Sequence, residues 1–181
     1  MSKINKIDYF VGVFLATILS SSKGVPALFD DDAKENKRVE FETDSGAFNV
    51  YIKYSTKQYI GNETVKGIKK KKKYWNIIFY EKDYDFLKNS FRKKDRINLV
   101  CLVCTNDKLS DTHIAVLKYE DAMKCLENQM DSGGRRITVS RIGAGRSFYC
   151  YGVDFDEKDC IKCPIDYTHF LGLRKDKALN I

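Results

Sequence analysis

Apolar and polar positions alternate through much of the first half of the chain. In "KRVEFETD" (37–44), Val39, Phe41 and Thr43 alternate with Arg38, Glu40 and Glu42, the period of a half-buried strand. Ser45 and Gly46 turn the chain, and "FNVYIKYS" (48–55) alternates again. Phe48, Val50, Ile52 and Tyr54 fall on one face, with Asn49, Tyr51, Lys53 and Ser55 on the other. The two runs predict a hairpin. "YWNIIFY" (74–80) is β-branched and aromatic and predicts a third strand, which leaves 56–73 as a lysine-bearing loop. The spacing then changes, because Tyr84, Phe86, Leu87 and Phe91 recur at roughly helical intervals.

"INLVCLVC" (97–104) is continuously apolar, as expected of a central strand buried on both faces, with "HIAVLKY" (113–119) as its neighbour. "EDAMKCLENQM" (120–130) reads as an amphipathic helix with acidic residues at its start, where the helix dipole favours them. "RRITVSRIGAGRSFYCYGV" (135–153) is a strand, a glycine turn and a strand. Near the start, "YFVGVFLATIL" (9–19) is too short to span a bilayer, and Asp8 just before it argues against a secretory leader. It predicts a first helix in an intracellular, cytoplasmic chain. The order of elements implies an α/β or α+β fold: one domain over 1–153, a mixed sheet flanked by helices, and a tail at 154–181.

The length of 181 residues, 43% of them hydrophobic and 13% aromatic, suits one domain with a real core. Charge adds a local feature. The net charge is +7, yet six positive charges belong to Lys66, Lys69, Lys70, Lys71, Lys72 and Lys73, and without them the balance is +1. A cationic feature on a nearly neutral body is how an electrostatic patch looks, although a solvated loop tip looks the same. Cys101 and Cys104 are three apart in a strand and point to opposite faces, so they suit a core better than a metal. Cys160 and Cys163, with Cys150 or His169, could offer zinc ligands, but no second spaced pair completes the set, and packed free thiols are the favoured reading. Neither His113 nor His169 sits in a nucleophile motif, and "SGGRR" and "GAGR" lack the strand-to-helix setting of a phosphate loop.

The order of elements, with "VYIKYST" (50–56) as a strand ending in lysine and small hydroxyl residues, resembles the PD-(D/E)XK nuclease-like superfamily over roughly 7–126. The resemblance implies a restriction-endonuclease-like core in which Lys53 is the catalytic lysine. It also implies a carboxylate one spacer before Lys53, where this chain has Tyr51; Glu40, Glu42 and Asp44 are the nearby acids able to take that role. Glu42 and Asp44 would then hold magnesium, which stabilises phosphoryl charge and activates water. Alternatively, Lys53 is an exposed strand lysine paired with Glu40 or Glu42 across the hairpin.

The basic segments are the lysines, "FRKKDR" (91–96), and Arg135, Arg136, Arg141 and Arg146. On one shared face they would track the backbone of DNA or RNA, with Tyr59, Tyr74 and Trp75 available for stacking, although Trp75 suits the core. The competing expectation is a protein-interaction module, for instance an inactive nuclease-like regulator in a phage or antiviral defence complex. The acidic runs at 30–32 and 154–159 suit such a partner. No membrane partner is expected.

Overall fold

The computed structural model describes residues 6–21, 28–29, 38–43, 46–155 and 159–166. In chain order the elements are α1 (Lys6–Ser21), β1 (Leu28–Phe29), β2 (Arg38–Thr43), β3 (Gly46–Ser55), β4 (Gln58–Val65) and β5 (Ile68–Phe79). They continue with α2 (Glu81–Phe86), a π-helical turn (Leu87–Phe91), β6 (Ile97–Cys104), β7 (His113–Lys118), α3 (Tyr119–Cys125), β8 (Arg135–Ile142), β9 (Ser147–Tyr151) and β10 (Ile161–Pro164). The strands form two five-stranded sheets, ordered β1-β2-β3-β6-β7 and β10-β9-β8-β5-β4.

The alternation along β3 and β6 builds the layers. Phe48, Val50 and Ile52 of β3 and Leu99, Cys101 and Val103 of β6 share a cluster with Phe10 and Phe14 of α1. The intervening Tyr51, Val100, Leu102 and Cys104 belong to a second cluster with Trp75, Ile77, Phe79, Ile137, Val139 and Phe148 of the other sheet. The first sheet is therefore buried on both faces, by α1 and by the second sheet. That explains why β6 is apolar throughout. It runs parallel to β3 and antiparallel to β7, so the first sheet is mixed, as expected. Phe10 and Phe14, one helical turn apart, anchor α1, and Phe10 stacks on Tyr54 with centroids 4.4 Å apart. Residues from α2, the π-helical turn and α3 close the layer between the sheets through Phe86, Leu87, Phe91, Ala122 and Cys125. No described helix is long and apolar enough to cross a membrane.

Two expectations are corrected. The lysines do not form a loop: Lys69 to Lys73 lie in β5, paired with β4 from Val65↔Ile68 to Gln58↔Trp75. The turn consists of Lys66 and Gly67 alone, both with positive φ (51° and 76°), the left-handed pair a two-residue hairpin requires. The second correction concerns the tail. Part of it is structural, because β10 pairs with β9 and extends the second sheet; 167–181 lie outside the described residues. Asp44 and the acidic run at 30–32 also lie outside them.

Gly152, just past β9, lies against the end of α3, where an added Cβ would stand 2.0 Å from the Cys125 carbonyl oxygen. Gly152→Ala is expected to cost about 2–3 kcal/mol through overpacking. Urea unfolding followed by circular dichroism would show a lowered midpoint; an unchanged midpoint would mean that the contact relaxes freely.

Candidate functional site

Lys53 occupies the predicted strand but meets neither expected partner. Its side chain is 7% exposed and forms an ion pair with Asp83 of α2, while its ammonium lies 4.9 Å from the centre of the Phe79 ring. The Tyr51 hydroxyl donates to the other Asp83 oxygen at 2.7 Å, and the Tyr80 backbone N–H donates to the oxygen that Lys53 uses, at 3.1 Å. Burial pushes the Asp83 carboxyl up, but the hydrogen bonds from Lys53 and Tyr51 outweigh it and hold the group below its ordinary 3.8. Burial, helped by the Asp83 charge, raises the Tyr51 phenol far above its ordinary value, so it remains a donor. Tyr51 thus helps to hold a buried carboxylate from another element.

Glu40 and Glu42 lie elsewhere. Glu40 is opposite Asn49, four residues from Lys53 on β3, or about 13 Å along the strand. Its Oε1 is 2.7 Å from Lys93 Nζ and 3.0 Å from Arg38, and its Oε2 is 3.1 Å from Arg96. Burial raises this carboxyl, while Lys93 and Arg38 together bring it below the usual value. Glu42 is exposed and 3.5 Å from Arg96. With both Glu40 oxygens committed to cations and Lys53 remote, these side chains do not fit a magnesium site that uses Lys53. Among the described residues, no three His, Cys, Asp or Glu side chains gather as a metal cluster. Cys163 is buried and donates to the Val116 carbonyl at 3.0 Å, its thiol pushed up to about 11 by burial, whereas Cys160 faces a surface groove. The two thiols diverge.

The basic segments separate as well. Lys73, 2.6 Å from Asp111, belongs beyond the C-terminal end of β6, and Lys93 and Arg96 precede its N-terminal end. Eight strand residues put about 25 Å between the two ends. Arg135 is buried, bonded to both Glu81 oxygens at 3.1 and 2.9 Å and lying 3.5 Å over the Tyr84 ring, so it is a structural residue. Lys72 pairs with Glu63 at 2.8 Å. Lys66, Lys69, Lys70 and Lys71 remain exposed on a ribbon that projects past β8, whose register with β5 stops at Lys72↔Ile142.

Alternation along β5 puts Lys70 and Lys72 on the side of Tyr74, an aromatic face, and turns Lys69 and Lys71 to the side of Trp75. Tyr59, Tyr74, Ser140, Tyr149 and Lys162 are successive register partners across all five strands, and so form one transverse row. The neighbouring row holds Asn76, Thr138 and Tyr151, and Arg136 follows on the same face opposite Ile78. This is the face opposite Trp75, Val139 and Cys150, which point into the core. Tyr59 and Tyr74 stack at 5.0 Å with planes 12° apart, and Lys57 lies 5.2 Å over Tyr59. Glu63, Lys66 and Lys72 share a groove of about 350 Å³ with Tyr149, Tyr151 and Cys160. Burial lowers the Lys72 ammonium, but Glu63 and Tyr151 more than compensate, keeping it charged. The Arg136 Nε is buried with no hydrogen-bond partner among the described residues. Sequence reasoning found Tyr59 and Tyr74 but missed Tyr149, Tyr151 and Lys162; their alternation in "SFYCY" and "IKCP" was the available signal.

No family model, curated protein or solved structure matches the chain. Its geometry carries the functional argument.

Asp83, depressed in the folded state, contributes stability that is present above about 3.8 and lost as pH falls through its lower native value. Asp83→Asn leaves Lys53 buried without its counter-charge and is expected to cost about 3–5 kcal/mol at pH 7. Denaturant unfolding at several pH values should show this deficit narrowing below pH 4; a constant deficit would contradict the ionised pair.

Proposed function

We propose that the protein binds single-stranded nucleic acid, DNA or RNA, along the outer face of the second sheet. The observation that carries this reading is the row Tyr59–Tyr74–Ser140–Tyr149–Lys162, with Tyr151 and Arg136 beside it and the lysine ribbon at its edge. Tyrosine rings accept unpaired bases of any sequence, a contact worth about 1–3 kcal/mol per base. Lys66, Lys70, Lys72, Arg136 and Lys162 supply charge for the phosphates between those bases. No described helix projects from the face to enter a duplex groove, so binding is backbone-led and tolerant of sequence. The hydrophobic clusters draw α1 to the first sheet and α2 and α3 to the layer between the sheets, so no described helix packs on this face.

Cleavage is not part of the proposal, because Glu40 and Glu42 lie away from Lys53 and Glu40 is committed to cations. A partner protein is the competing class. The tyrosine-lined groove and the exposed lysines beside it favour a polyanionic strand over a folded partner.

Fluorescence anisotropy with labelled ten-nucleotide DNA and RNA strands, repeated across salt concentrations, tests the reading. Affinity should fall steeply with salt, and replacing Lys69, Lys70 and Lys71 with serine should reduce the log–log slope by about 0.7, the share of the one phosphate contact that Lys70 makes on this face. Tyr149→Leu should weaken binding about tenfold with the slope unchanged. No binding in dilute buffer would sink the proposal and favour a protein partner.

A further inference from the structure

A second cationic feature lies at the opposite end of β6. The connection from the π-helical turn into β6 and the junction of β7 with α3 enclose a cleft of about 630 Å³ lined by Arg92, Lys93, Lys94, Arg96 and Lys118, with Glu120 as the one carboxylate among its lining residues. Glu120 is a weak counter-ion, because it and Arg92 are both largely exposed and stand 3.6 Å apart.

The cleft is held in shape from beneath. Asn98 Oδ1 accepts from the Lys93 N–H at 2.9 Å, and its Nδ2 donates to the carbonyls of Lys93 and Arg96 at 2.7 and 2.9 Å. The buried Asn49 fixes Asn98 in turn, donating to the same Oδ1 at 2.9 Å and to the Phe91 carbonyl at 2.7 Å. Buried Glu40 pins Lys93 and Arg96 from behind at 2.7 and 3.1 Å. Two cations are therefore positioned before any ligand arrives, and Lys94 and Lys118 stand exposed at the rim. Glu40 and Glu42 offset part of this charge, and with five cations lining the cleft the balance that remains is positive and favours a compact polyanion.

We propose that this cleft is a binding site for a di- or triphosphate group, separate from the nucleic-acid face and not dependent on that reading. Guanidinium and ammonium groups together suit phosphate oxygens, the former as planar forks and the latter as point charges. None of the lining residues is aromatic, so the site reads charge and leaves a base unrecognised. Pyrophosphate and ADP then bind alike.

Isothermal titration calorimetry with pyrophosphate and with ADP, at constant ionic strength set with sodium chloride, tests the site on the full chain. The expected result is saturable 1:1 binding with the two affinities within threefold, weakened at least tenfold in the Lys94→Ala, Lys118→Ala double variant. Both side chains are exposed, so the variant should fold, and a circular dichroism melt that overlays the parent's checks this. The serine variant of Lys69, Lys70 and Lys71 should bind pyrophosphate normally, which separates this proposal from the nucleic-acid reading. Lack of saturable binding, equal loss in the serine variant, or a tenfold preference for ADP would overturn it.

Discussion

A sheet has two faces, and the described helices cover only one face of the first sheet and the layer between the sheets. α1 lies on the first sheet, while α2, the π-helical turn and α3 fill the margin of the layer between the sheets. The outer face of the second sheet is therefore stocked with residues that tolerate water and still offer contact area: tyrosine, lysine, serine, threonine and asparagine in alternating positions. Tyrosine suits this place because its ring is apolar and its hydroxyl is wet. The same alternation that buries Trp75, Ile77 and Phe79 presents Tyr74 and Asn76, so core and candidate interface follow from one pattern.

Charge inside the molecule serves the architecture. The pair of Lys53 and Asp83 ties β3 to α2 through the layer between the sheets, with Tyr51 completing the carboxylate's bonds. Glu40 plays a comparable part at the other end, gathering Arg38, Lys93 and Arg96. Each buried carboxylate is fully partnered, which is the condition under which burying a charge is tolerated. Those commitments also keep Glu40 and Glu42 away from Lys53, so neither shares a site with it.

Much of this was legible in the chain where one residue type had one good use. The apolar run of β6, the opposed Cys101 and Cys104, the helix with Phe10 and Phe14, and Trp75 in the core all follow from periodicity. The lysine strand was hidden because consecutive lysines have weak strand propensity; pairing with β4 and the left-handed turn at Lys66 and Gly67 impose the extended form. The partner of Lys53 was hidden because Asp83 is thirty residues away and on a helix, where no local spacing connects them. The π-helical turn and Asn98, which shape the phosphate cleft, likewise act through contacts that sequence spacing does not encode.

The central claim is that the uncovered tyrosine face, with its ribbon of lysines, meets a flexible polyanion. Two-dimensional amide NMR of the labelled protein, titrated with a ten-nucleotide oligothymidylate, reads this residue by residue. The account predicts shifts concentrated at Tyr59, Tyr74, Tyr149, Tyr151 and Lys162, continuing along the ribbon from Lys69 to Lys71. Shifts confined to residues 92–98 and Lys118, or none at all, would contradict it.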